Sequence, residues 1–123
     1  MVIVDTDVII ASIRGNEIAQ QLIRKYMPLI SISVITEMEL YIGATNKTKK
    51  DIVKKVLTEH EVIGINKSIC ETALSLIKAY NTSNKSLYLS DAIIAATCLH
   101  EHCSLLTFNT KDFKIIKGLQ LAK

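Results

Sequence analysis

MVIVDTDVIIASIRG, residues 1–15, sets Val2, Ile3 and Val4 directly before Asp5-Thr6-Asp7, then resumes an apolar run from Val8 to Ile13. Both flanking segments favour burial, and the two carboxylates between them do not. A strand that ends where a helix begins resolves the conflict. Residues 2–5 read as a short buried strand, and 6–14 as a helix that Asp5 or Thr6 can cap. Asp5 then falls at the carboxyl end of the first strand.

The alternation continues along the chain. Ile18, Ala19, Leu22, Ile23 and Tyr26 recur at helical spacing over 16–26, and Pro28 closes that helix. Residues 29–33 read as a second strand and 34–43 as a helix stopped by Gly43. A lysine-rich helix follows over 47–60, with Ile52, Val53, Val56 and Leu57 on one side. The pattern predicts a strand over 62–65, a helix over 67–80, a polar loop over 81–86 and a helix over 91–102. Strands are expected at 105–108 and 119–121. Short apolar strands alternating with helices indicate an α/β fold with a parallel sheet covered on both faces. Ligands in such folds sit in the crevice beyond the carboxyl ends of the strands.

Length and composition fit one domain over 1–123. Hydrophobic residues make up 49% of the chain, enough for a sizeable core, and with no Trp that core must be largely aliphatic. The net charge of +3 suits a polyanionic partner, and Lys47, Lys49, Lys50, Lys54 and Lys55 crowd one short stretch. Cys70, Cys98 and Cys103 have no paired spacing, so free thiols in a reducing cytoplasm are expected. An acid at position 5 without a basic flank argues against a signal peptide, and the apolar runs are too short to span a bilayer.

Further polar residues fall at element junctions. Asp91 opens an apolar helix, with Ser90 placed to cap just before it. In SVITEMELYIGA, residues 34, 35, 38, 41 and 42 form an apolar stripe expected to face the core. Glu37 and Glu39 lie off its opposite edges, and periodicity does not choose between them. LLTFNTKDF puts Thr107, Asn109 and Asp112 just past the fourth strand, where they also suit a simple turn.

Together IVDTDVII, ITEMELYIGA, LSDAIIAAT and LLTFNTKDF resemble the PIN-domain ribonucleases, in particular the VapC-type toxins of toxin–antitoxin pairs. The resemblance covers almost the whole chain. It implies a three-layer α/β/α sandwich around a mostly parallel sheet of four to five strands. It also implies an acid cluster that binds Mg²⁺ or Mn²⁺ and cleaves RNA. Matched residue by residue, the acids are Asp5, Glu39 and Asp91, with the Thr6 hydroxyl beside the first. At the fourth place Asn109 stands where the family often has Asp, and Asp112 follows shortly after. Either can complete the site, as a carboxylate or as a neutral ligand. Asp7 is a departure from the family's usual Asn or Ser, and it joins Thr6 and Thr107 as a supporting residue. A homodimer and a cognate antitoxin are also implied.

The chemistry explains why such a cluster needs a cation. Two unit charges about 5 Å apart repel by roughly 3 kcal/mol at an effective dielectric near 20. A hard divalent ion removes that penalty, and oxygen ligands favour Mg²⁺ or Mn²⁺ over zinc. Such an ion can acidify and orient a water for attack on phosphorus. Lys47, Lys49 and Lys50 can hold an RNA backbone or form a solvated face, and Arg14 and Lys111 lie nearer the expected crevice. Tyr41 and Tyr88 suit core packing or a dimer interface. Cys98 and His102 lack a second ligand pair with finger-like spacing, which argues against zinc.

Two rival readings remain open at this level. Asp5-Thr6-Asp7 nearly matches the start of a haloacid-dehalogenase-type phosphatase, with Asp5 as nucleophile. That family's late motifs are poorly matched by LSDAIIAAT and LLTFNTKDF. The other rival is a catalytically weak PIN-like module that only binds RNA or protein.

Overall fold

Residues 1–82 and 87–123 are described by the structure, a computed structural model. Most of the polar loop expected over 81–86 lies outside the described residues. The first strand, β1 (Val2–Val4), is buried throughout and sends alternate side chains to opposite faces. Val2 and Val4 pack on one side against α1 (Thr6–Ile13), α2 (Glu17–Tyr26) and α4 (Lys47–Thr58). Ile3 packs on the other against α6 (Leu89–Glu101) and α7 (Thr110–Phe113). A strand buried on both faces needs helices on both, so the layers are α/β/α.

The remaining strands are β2 (Ile30–Ser33), β3 (Glu61–Ile63), β4 (Ser104–Leu106) and β5 (Gln120–Leu121). Their order is β3-β2-β1-β4-β5 and every pairing is parallel. Val2 registers with Ile30 and with Ser104, so β1 is central. The other helices are α3 (Val34–Gly43) and α5 (Lys67–Tyr80), and a single 3-10 turn at Met27–Leu29 carries Pro28. Asn16, Asn46 and Asn66 cap α2, α4 and α5, each accepting from the amide three residues on. Ile69 and Ala73 of α5 meet Ala92 and Ala96 of α6 in a satellite core, and small side chains let the two helices approach closely.

Four sequence expectations need correction. The α3 stripe does not face the core. Met38, Tyr41 and Ile42 are exposed, Ile42 at 80%, and Val34 and Ile35 are half-buried. Thr36 and Leu40 point inward instead, because α3 docks through a hydroxyl contact that a hydropathy count ignores. The last long helix begins at Leu89, so Ser90 and Asp91 lie within its first turn. Tyr88 holds the cap position without a side-chain capping bond. The third strand runs over Glu61–Ile63 rather than 62–65, and β4 ends at Leu106 rather than 108. The short helix α7 was not anticipated. Four residues are too few to show a period.

Phe113 closes α7 and is fully buried against Ile3, Ile94 and Leu105. It therefore anchors the turn that carries Asn109 and Asp112. Phe113→Ala is expected to cost about 3–5 kcal/mol in urea unfolding, the range for a large buried side chain. A loss below ~1 kcal/mol would show that the turn is not anchored in the core.

Candidate active site

Asp5 follows β1 directly. Its amide still donates to the Leu106 carbonyl at 2.8 Å, so the sheet register extends one residue past the strand. The side chain is buried and both oxygens are engaged. Oδ1 accepts from the Thr6 amide at 2.8 Å, which caps α1. Oδ2 accepts from the Thr107 hydroxyl at 2.7 Å. Capping and a place at the strand-end crevice, which the sequence offered as alternatives, are both satisfied by this one carboxylate.

Thr107 passes the contact onward. Its Oγ1 accepts from the Asn109 amide at 2.9 Å, and Asn109 Nδ2 donates to Asp112 Oδ2 at 3.0 Å. Asn109 and Asp112 are thus not rivals for one position. The amide side chain holds the carboxylate.

Glu39 is fixed from the other side. Thr6 Oγ1 donates to Glu39 Oε1 at 2.7 Å and shares a 2.9 Å hydrogen bond with Thr36 Oγ1. A hydroxyl carries one proton, so Thr36 must supply the second of these bonds. This arrangement separates Glu39 from Glu37, which makes no such contact. Thr36 is the functional residue that sequence reading missed. Its signal was a hydroxyl three residues before Glu39 on the same helix face.

The acids sense one another. Burial pushes Asp91 up to about 6, and the charges of Asp5, Glu39 and Asp112 add to that rise. Asp5 is also pushed up to about 6, first by burial and then by the Asp7 charge, against the lowering effect of Thr107 and the Thr6 amide. Asp7 is raised as well, chiefly by burial. Its Oδ2 accepts from the Phe108 amide at 3.3 Å. Acids from α1, α3, α6 and α7 therefore share one region. Among the described residues, no three Asp, Glu, His or Cys side chains stand in a ready-made arrangement to hold a metal ion. The acids are electrostatic neighbours without a closed ligand shell.

The basic residues divide. Arg14, with Asp7, Ile10 and Asn16, lines an open depression of about 630 Å³. Arg14 and Lys49 also line a groove of about 220 Å³ with Glu39 and Leu40. Lys47 points elsewhere, pairing with Asp51 at 3.1 Å on the solvent side of α4. Lys50 and Lys111 are exposed on α4 and α7. Cys98 and Cys103 are buried free thiols, and burial raises the pKa of both. A thiol held in its neutral form is a poor zinc ligand.

The chain is similar to known proteins over nearly its whole length. The family model of the PIN domain matches residues 2–119. Ribonuclease VapC10 of Mycobacterium tuberculosis is 32% identical over 123 residues, covering 98% of this chain and 91% of the relative. Ribonuclease VapC1 of Rickettsia felis is 32% identical over 126 residues, covering 97% and 92%. Among solved structures, a toxin–antitoxin complex from Klebsiella pneumoniae superposes with a TM-score of 0.83 at 32% identity, covering 97% of this chain and 95% of that one. The DNA-bound VapBC complex of Salmonella typhimurium has the same fold, with a TM-score of 0.87 at 20% identity over 98% of this chain and 96% of that one.

The raised carboxyls make a pH prediction. A carboxyl whose folded pKa exceeds its unfolded value binds more protons folded than unfolded between the two. Its contribution favours the native state at low pH and is lost as pH rises through about 6. In metal-free buffer, the melting temperature of Asp91→Asn relative to wild type should therefore rise from about pH 4 to about pH 7. A difference that stays constant across this range would show that folding does not raise the Asp91 carboxyl.

Proposed function

The chain belongs to the PIN-domain family, and from that premise we propose that it is an Mg²⁺- or Mn²⁺-dependent endoribonuclease, the toxin of a toxin–antitoxin pair, acting as one domain over 1–123. The observation that carries the reading is the convergence on Asp91. Asp5, Glu39 and Asp112 come from three other parts of the chain, and all three charges reach it. Relatives of matching length are named ribonucleases, and a toxin–antitoxin complex shares the fold at 32% identity.

The donors suit a hard cation. They are carboxylate and amide oxygens, and Asp5 and Asp91 are raised first by burial and then by neighbouring negative charge. Asp5, Glu39, Asp91 and Asp112 would hold the ion, with Asn109 as a neutral neighbour. Bound there, the cation supplies Lewis-acid charge and an acidified water for attack on phosphorus. The chain's own residues orient the acids. The Thr6 amide and the Thr107 hydroxyl fix Asp5, the Thr6 hydroxyl fixes Glu39, and the Asn109 amide fixes Asp112. Arg14 and Lys49, on the groove that Glu39 also lines, are placed to meet phosphates. Lys50 and Lys111 extend the basic surface, and these contacts would be salt-sensitive.

A phosphatase with Asp5 as nucleophile fits less well. Both Asp5 oxygens already accept hydrogen bonds in a buried setting, which blunts nucleophilicity. The antitoxin is the expected protein partner. A second copy is expected to cover the exposed apolar residues Met38, Tyr41 and Ile42 of α3, and Tyr88 and Leu89 at the start of α6, a helix that packs on α3. No helix among the described residues is long and apolar enough to cross a membrane. Three unpaired cysteines support a reducing cytoplasmic location.

The purified protein, incubated with tRNA and rRNA, should cut RNA only when Mg²⁺ or Mn²⁺ is supplied, and EDTA should stop it. Asp5→Asn and Asp91→Asn should each lower the rate by roughly 10²-fold or more while remaining folded by circular dichroism. Cutting that persists in EDTA defeats the metal-dependent reading. Folded protein that binds RNA but never cleaves it, with either metal, supports a binding module instead.

A further inference from the structure

Among the described residues, Asp7 is the acid of the cluster that carries a buried oxygen without a hydrogen-bond partner. Oδ2 accepts from the Phe108 amide, a bond that joins α1 to the segment after β4. Oδ1 is buried and has no hydrogen-bond partner. Buried carboxylate oxygens in folded proteins nearly always have a donor, so this one calls for an explanation. Asp5 lies within hydrogen-bonding reach of Asp7, but an ionised carboxylate only accepts. The charge of Asp91 also reaches Asp7. Two acids thus face each other next to a third, with no cation from the described residues paired to Asp5, Asp7 or Asp91.

Three occupants can satisfy Oδ1: a shared proton, a water, or a metal ion. A shared proton would neutralise one of the pair. A water would serve Oδ1 but leave the two charges opposed. A divalent cation satisfies the oxygen and cancels the repulsion while both acids stay ionised, which is the state the metal-dependent function requires.

We propose that Asp7 is a fifth carboxylate of the cation site, offering its buried Oδ1 to the ion while Oδ2 pins the Phe108 backbone. This inference rests on the metal-dependent function above and adds a residue to it. The second contact gives Asp7 a positioning role too. Phe108 lies between Thr107, which holds Asp5, and Asn109, which holds Asp112. Pinning its amide keeps both acids in register with the first strand. An open depression beside the cluster is also lined by Asp7, which puts this acid next to solvent.

The test compares wild type, Asp7→Asn and Asp7→Ala by Mn²⁺ titration calorimetry and by thermal melting without metal. Asp7→Asn keeps an acceptor for the Phe108 amide and removes the charge. It should bind Mn²⁺ roughly tenfold more weakly, since affinity for hard cations follows ligand charge. Without metal it should melt higher than wild type, because repulsion is relieved. Asp7→Ala loses the clamp as well and should melt below Asp7→Asn. If Asp7→Asn fails to fold, Asp7→Ser, which also keeps an acceptor, is read in the same way. Should wild type bind Mn²⁺ and Asp7→Asn bind it equally well, this inference falls alone. If wild type takes up no Mn²⁺, the metal-dependent function falls, and the inference with it.

Discussion

The Thr107 hydroxyl donates to the Asp5 carboxylate across the seam between β1 and β4. The strand order makes that seam special. From β1 the sheet grows one way through β2 and β3, then resumes on the opposite side of β1 with β4 and β5. Neighbouring connections therefore diverge at this point, and a crevice opens at the carboxyl ends of the strands. Asp5 leaves β1 on one lip and Thr107 leaves β4 on the other. One hydrogen bond ties the two lips together and fixes where a buried charge can sit. Thr6 then reaches toward α3, and Asn109 toward Asp112, so Glu39 and Asp112 are placed by bonds that start next to this pair.

Much of the architecture was legible because strands and helices leave different periods in a sequence. Residues 2–4 are aliphatic without alternation, which is what burial on both faces demands. Helical periodicity and the single Pro marked the limits of α2, α4 and α5 to within a residue or two. The orientation of α3 was not legible. Its most apolar stripe, Met38-Tyr41-Ile42, faces outward, and its inner face carries Thr36. Hydropathy ranks a Thr below a Met. A buried hydroxyl, however, is satisfied by Thr6 and lets the helices come close, whereas Met38 would have to be accommodated by moving them apart. The contact that decides the orientation lies 30 residues away in sequence. No local window contains it.

The sequence offered the candidate acids and two of their supports, Thr6 and Thr107, but neither Thr36 nor the bonds among them. Periodicity left Glu37 and Glu39 equal, and the resemblance to a family chose Glu39. The structure gives a physical reason for that choice, the Thr6 hydroxyl on its Oε1. Asn109 and Asp112 looked like competitors because a sequence displays positions and not bonds. In three dimensions a short helix brings the amide onto the carboxylate, and both are kept there by Phe113 in the core. A neutral residue at the expected acid position therefore need not be a loss. It can hold the acid that replaces it.

The supports share one chemical feature. The donors that hold Asp5, Asp7 and Glu39 are amides and hydroxyls, all neutral. The ion pairs among the described residues, Lys47–Asp51 and Lys67–Glu71, are on the surface and do not touch these acids. A lysine or arginine within the cluster would neutralise it permanently and stabilise the fold more. Neutral donors orient a carboxylate while leaving its charge available, so the cluster stays short of positive charge. The fold thereby carries a standing electrostatic cost that other contacts must offset, with the aliphatic core around β1 the largest source. Such a cost is the physical signature of a site built for something that arrives from outside. The divalent cation proposed above would answer it, with a charge of the opposite sign and a preference for hard oxygen donors.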